Sequence, residues 1–205
     1  AIPLQDPSVR PVQPLADATV NPLAGNGTDA AMLPPIERFA RAFENPAGKP
    51  LFAILLVDRG DPALDRAKLA RLPFPMTFVL DPALPDVAAI AAPYLDAGQE
   101  VAILASAISE GVAPTDPEET LAAYQTALPQ AVAIVDLEED GFQGNLPLAT
   151  RIIPVIKQQG RGLLTYGTGQ TAASQLASRE QLRAATIYRQ ICLLYTSPSP
   201  RDRTR

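Results

Sequence analysis

The sequence predicts an α/β fold in which a parallel sheet is covered by helices, and three observations carry that expectation. Short, β-branched-rich apolar runs alternate with longer amphipathic stretches. The short runs are continuously apolar, as strands buried on both faces must be. Their starts lie about 22 to 31 residues apart, the repeat length of βα units.

Taken in order, residues 51–57 form the first expected strand, and residues 62–71 a helix with Leu64, Ala67 and Leu69 near one face. Residues 76–80 are the second strand. Residues 86–98 follow as an Ala-rich helix stopped by Gly98. After the strand at 101–104, the helix at 116–128 opens with Asp116-Pro117-Glu118-Glu119. That start supplies a capping carboxylate, a proline at the first helical position and acids in the first turn. A strand at 131–135 precedes a helix at 146–159 that ends at Gly160, with a kink expected at Pro154. Strands at 162–166 and 185–188 complete the series. Such a sheet is either open and doubly wound or curled towards a barrel, and in both cases ligands sit at the carboxyl ends of the strands.

Residues 1–50 hold nine of the 22 prolines and read as a flexible leader, in which only residues 36–43 have the spacing of a short docking helix. Residues 192–205 break off a strand-like run without a cap or turn. The eleven residues from Cys192 to Asp202 resemble a translated transposase adapter from sequencing-library preparation. The segment is therefore expected to be a non-native tail, the native C-terminal portion to be absent, and the folded domain to occupy residues 51–191.

Composition closes several routes. There is no histidine, so Ser-His-Asp chemistry, an imidazole base and histidine-ligated zinc are excluded for this sequence. One cysteine makes neither a disulfide framework nor a thiolate cage. A net charge of -5 argues against nucleic acid as a partner. The strongest apolar run, residues 51–57, is far shorter than the ~20 residues of a membrane span.

The expected strand ends carry Asp58-Arg59-Gly60-Asp61, then Asp81, then Ser106, then Asp136 with Glu138, Glu139 and Asp140, and finally Thr168. Asp58 beside Arg59 reads either as a base steered by a cation or as an ion-paired loop anchor. The acidic run reads as a solvated loop, as hard oxygen ligands suited to calcium or magnesium, or as one half of a carboxylate pair of the glycosidase kind, Asp58 with Glu138. Ser106 and Thr168 suit turns or sugar hydroxyls, and Tyr166 and Tyr188 suit packing or stacking on a sugar ring. The short Gly167-Thr168-Gly169 match lacks the third glycine and the lysine of a phosphate loop.

Several stretches together resemble the divergent polysaccharide deacetylase family: KPLFAILLVDRGDPA at the first strand, FPMTFVLDP at the second and AGQEV before the third, then LPQAVA at the fourth and GRGLL at the fifth. The likeness covers about 140 residues by order and spacing. It implies an incomplete seven-stranded (β/α) barrel of the glycoside hydrolase/deacetylase type, with about six parallel strands present. It also implies a periplasmic or cell-envelope setting and a polysaccharide or oligosaccharide partner.

Family chemistry would be metal-assisted hydrolysis of an N-acetyl group. Carried over by position, Asp58 matches the general base, but Arg59 stands where a metal-ligating aspartate belongs, and a guanidinium repels cations. Leu104 replaces the expected histidine, residues 136–144 replace an Asn-His stretch, and Gly167 replaces an aspartate. No metal cofactor is therefore expected. The leading expectation is a pseudoenzyme that binds or scaffolds glycan through Arg59, Asp81, Ser106, Asp136 and Thr168. The alternatives are a hydrolase using Asp58 and Glu138, or residues of an absent C-terminus, and an envelope protein-interaction module.

Overall fold

Six parallel strands form one sheet in the computed structural model, which describes residues 32–108, 116–167 and 169–191. They are β1 (Leu55–Asp58), β2 (Thr77–Leu80), β3 (Glu100–Leu104), β4 (Ala133–Val135), β5 (Gly162–Tyr166) and β6 (Ala184–Ile187). Each pairs only with its sequence neighbours, in the order β1-β2-β3-β4-β5-β6. A doubly wound sheet reverses direction at a switch point. Here the order never reverses, so every crossover steps the same way, and the twisted sheet curls into an α/β half-barrel with helices between its strands.

The connecting helices are α2 (Arg66–Ala70), α3 (Val87–Asp96), α4 (Pro117–Ala127), α5 (Leu146–Gln158) and α6 (Ala172–Arg179), preceded by a single turn, α1 (Pro35–Arg38). Their starts follow local chemistry. The Asp65, Asp116 and Asn145 side chains accept the backbone N–H groups of Lys68, Glu118 and Leu148. The helix expected over 62–71 is shorter because Asp65 caps it late. Pro154 lies within α5, which continues to Gln158. Helix α6 was not expected. Its buried face is only Ala173 and Ala177, and its signal is a capping box of Thr171 with Ser174. No helix among the described residues is long and apolar enough to cross a membrane.

The sheet separates two apolar layers, and strand alternation assigns residues to them. Phe78, Leu80, Val101, Ile103, Ile134 and Leu163 pack against the helices. Val79, Ala102, Ala133 and Val135 face the other way, with Leu55, Leu104, Leu164, Tyr166 and Ile187 beside them. This second cluster lines the concave side of the half-barrel.

Before β1, the chain crosses the opposite, N-terminal ends of the strands. Ile36 N–H donates to Gly160 O at 3.1 Å, just ahead of β5. Arg183, just ahead of β6, bonds Glu37 at 2.7 Å. Arg41 donates its backbone N–H to Glu100 at 2.9 Å and its guanidinium to Gln99 at 2.8 Å, at the start of β3. Phe39 packs into the concave cluster. The expected docking helix at 36–43 is thus one turn followed by an extended strap, since Phe39 ends α1 with backbone that is no longer helical. The earlier leader residues, 1–31, and the expected tail, 192–205, lie outside the described residues.

Gly160 is the joint between strap and sheet. Its φ of +67° suits glycine, and a Cβ there would collide with Pro34. Gly160→Ala is expected to lower the unfolding free energy by about 1–2 kcal/mol, measured in urea, and to speed tryptic cleavage at Arg38 and Arg41. An unchanged cleavage rate would show that the strap does not depend on this joint.

Candidate functional site

Alternation divides the candidate residues at the strand ends into two sets. Leu56, Leu80 and Ala105 belong to the helix-side cluster, and Asp58 and Asp136 stand in the same parity, two residues after Leu56 and Ile134. Val79, Leu104 and Tyr166 belong to the concave cluster, so positions 81 and 106 continue that face. The sequence-predicted residues therefore do not converge on one point.

Asp58 is held by the helix layer. Arg66 of α2 reaches it with Nε to Oδ2 at 2.7 Å and Nη2 to Oδ1 at 3.0 Å. Gly60 N–H donates to Oδ1 at 2.8 Å, and Tyr94 Oη of α3 donates to Oδ2 at 2.8 Å. The Tyr94 ring stacks on Phe78 of β2 with centroids 3.6 Å apart. Asp58 has no exposed side-chain surface. Burial pushes its pKa up, but the Arg66, Gly60 and Tyr94 hydrogen bonds and the Arg66 charge outweigh that and hold it below the ordinary 3.8. A carboxylate with a depressed pKa and both oxygens occupied is an anchor for β1, α2 and α3. It has no lone pair directed at a substrate proton, so Asp58 is an ion-paired anchor rather than a free base, and its partner is Arg66 of α2, not the adjacent Arg59 of the sequence reading, which is exposed.

On the concave parity, Ser106 Oγ donates to Asp81 Oδ1 at 2.7 Å, joining the ends of β2 and β3. Ala83 N–H donates to the same oxygen at 2.9 Å. Ala107 N–H donates to Tyr124 Oη at 2.9 Å, fixing the turn that carries Ser106. Asp81 and Ser106 are both partly exposed. Arg59 and Glu138 are exposed. Tyr166 is half-buried at the end of β5, and its phenol pKa is raised by burial and then by the charges of Glu138 and Asp136. Thr168 lies outside the described residues.

Asp136 is fully buried. Its Oδ1 accepts the N–H groups of Leu137 at 2.8 Å and Phe142 at 3.0 Å, whereas Oδ2 has no partner among the described residues. It is a loop anchor with no open face to a ligand, so its expected part in substrate binding is not one of direct contact. Sequence reasoning passed over Tyr94, Arg66 and Gln143, which hold the candidates in place. Only Arg66, eight residues beyond Asp58, could have been found from the sequence, as a cation one helix start away.

Among the described residues no three His, Cys, Asp or Glu side chains come together as a metal site. Asp58, engaged on both oxygens by Arg66, Gly60 and Tyr94, has no lone pair left for a cation. Two grooves open at the N-terminal end, one beside Arg71, Asp96 and Gln99 and one beside Phe43, Phe52 and Met76, and neither contains a candidate residue.

No family model matches the chain, and no curated protein does. Among solved structures, it is similar to the crystal structure of an uncharacterised protein from Agrobacterium tumefaciens C58. The TM-score is 0.54 and the identity 15%, over 76% of this chain and 70% of that one. At that identity the likeness speaks for the fold alone.

Asp58→Ala is expected to cost about 3 kcal/mol in chemical unfolding at neutral pH, because it strands the Arg66 guanidinium and the Tyr94 hydroxyl. A depressed carboxyl stabilises the folded state above its unfolded pKa, and that contribution is lost as the pH falls through its folded pKa. The gap between wild type and variant should therefore narrow on acidification below the ordinary 3.8. An equally stable variant would return Asp58 to the list of free carboxylates.

Proposed function

We propose that this half-barrel is a divergent polysaccharide deacetylase-like domain of the cell envelope that binds or scaffolds glycan without metal-dependent hydrolysis. The observation that carries the reading is the fate of the strand-end carboxylates. The one at the base position is locked between Arg66 and Tyr94, while the one that stays open, Asp81, is paired with a serine hydroxyl. That pairing suits recognition. Asp81 Oδ1 takes up Ser106 and Ala83, and a sugar hydroxyl would donate to the remaining Oδ2, with Ser106 accepting from a neighbouring hydroxyl. Tyr166, at the end of β5, would offer its ring to the C–H face of a pyranose. Arg59 supplies a donor in place of a cation-binding acid.

The resemblance of the core segments to the deacetylase family supports the glycan class and the envelope setting. A hydrolase working by carboxylates alone is less well supported, because its acid needs access to substrate and the raised carboxyl of this chain, Asp136, has no exposure.

The test is calorimetric titration of the whole chain with N-acetylated and de-N-acetylated oligosaccharides, alongside an acetate-release assay with and without added zinc or cobalt. Saturable binding without acetate release is expected. Asp81→Asn and Tyr166→Leu should each weaken it about tenfold, roughly 1.4 kcal/mol, with little change in melting temperature. Acetate release with added metal would overturn the non-hydrolytic reading. Absence of binding to any glycan, together with capture of an envelope protein, would favour the interaction-module alternative.

A further inference from the structure

We propose that Asp136 is a pH-sensitive latch that holds the β4–α5 loop closed and, through Gln143, sets the position of Tyr166 at the concave mouth. The idea rests on the glycan-binding reading only in its consequence for Tyr166; the latch itself is a property of the loop.

The geometry begins with a buried acid of uneven satisfaction. Oδ1 gathers the N–H groups of Leu137 and Phe142, so the loop folds back over the residue from which it springs. Asp140 turns the chain with φ of +56°, a conformation an aspartate tolerates better than most residues. Gly141 then passes so close to the carboxyl that any Cβ would collide with Asp136. Oδ2 is sealed off beneath this loop with no hydrogen-bond partner among the described residues, so closure is achieved at the expense of one dry carboxyl oxygen.

The relay follows directly. Gln143, next to Phe142, accepts the backbone N–H of Tyr166 on its Oε1 at 2.8 Å, and its own carbonyl accepts the N–H of Ala173 at the start of α6. A loop that loosens releases both bonds. The half-buried ring of Tyr166 then loses the support that fixes it against Leu164 and Ile187 in the concave cluster.

The charge state decides the loop's preference. Tyr166 of β5 feels the charges of Asp136 and of Glu138 on the same loop, with Glu139 and Asp140 exposed beyond, and no charged group contributes to the shift of Asp136 itself. No salt bridge reaches Asp136 among the described residues, and the interior of β3 beside it is apolar. Burial outweighs the loop's N–H bonds and pushes the Asp136 pKa from 3.8 up to about 6. The closed loop therefore binds the proton more tightly than an opened loop with an ordinary carboxyl. Closure is favoured at low pH, weakens as the pH rises from about 4, and levels off above about 6. The difference corresponds to about a 100-fold change in the opening equilibrium.

Amide hydrogen exchange on the whole chain tests this without any sugar. After correction for intrinsic rates, protection at Phe142, Gln143 and Tyr166 should fall by up to about 100-fold between pH 4 and pH 7. Ile103 and Ile153 report global unfolding, which also exposes Asp136, so at every pH the loop amides should exchange faster than these two, as local opening requires. Asp136→Asn should abolish the pH dependence. Should that variant fail to fold, the carboxyl carbon of Asp136 in the wild-type chain decides the matter by NMR titration. A midpoint near 6 tracking the Phe142 and Gln143 amides supports the latch, and a midpoint near 4, or protection flat with pH, overturns it. If glycan binding is absent while exchange shows the pH dependence, the glycan reading fails and the latch stands. If both hold, affinity should be higher at pH 5 than at pH 7.5.

Discussion

Strand alternation is the constraint on which the rest of this molecule depends. A sheet covered by helices on one face and curled around an apolar layer on the other leaves each strand residue one of two destinations, and a step of one residue changes it. Asp58 and Asp81 are both aspartates that end a strand segment, yet one meets Arg66 and Tyr94 among the helices while the other pairs with Ser106. Their different chemistry follows from parity, because the backbone hands one to a dry, cationic interior and the other to a half-open rim.

The same acid type also appears in two opposite electrostatic conditions. Asp58 and Asp136 are both buried. Asp58 receives a guanidinium, a phenol and an amide, which more than compensate its desolvation, and its pKa falls. Asp136 receives backbone amides only, from Leu137, Phe142 and Gln143, which do not, and its pKa rises to about 6. Burial alone thus does not set the sign; the number and charge of the donors do. The first is a fixed joint of the scaffold, the second a strained one at the edge of the candidate site.

An incomplete barrel must also manage its open end. Residues 34–41 do this at the N-terminal side, linking β6, β5 and β3 through Glu37, Ile36 and Arg41 and filling the concave floor with Phe39. Long-range ties of this kind hold together strands that neighbour pairing alone would leave free to splay. They also leave the opposite, C-terminal rim as the face where side chains are free to meet a ligand.

The strand and helix alternation, the capping aspartate 116 and the spacing of the βα units were legible in the chain, because burial on both sides and helix initiation are local demands that leave local patterns; the cap at Asp65, which starts α2 later than expected, was not. Composition likewise fixed what the chemistry excludes: a chain without histidine has no imidazole in any fold. Helix α6 left little trace, since an eight-residue helix whose buried residues are two alanines, Ala173 and Ala177, carries little apolar content. Residue pattern left an open sheet and a half-barrel both possible, and the incomplete barrel that the resemblance implied is the one the structure has, whereas the partition of Asp58, Asp81 and Asp136 and the reach of residues 34–41 across three strand ends were decided only in three dimensions. Each depends on contacts between residues far apart in sequence, Arg183 with Glu37 and Tyr94 with Asp58 among them, and no window of neighbouring residues encodes a distance across the sheet.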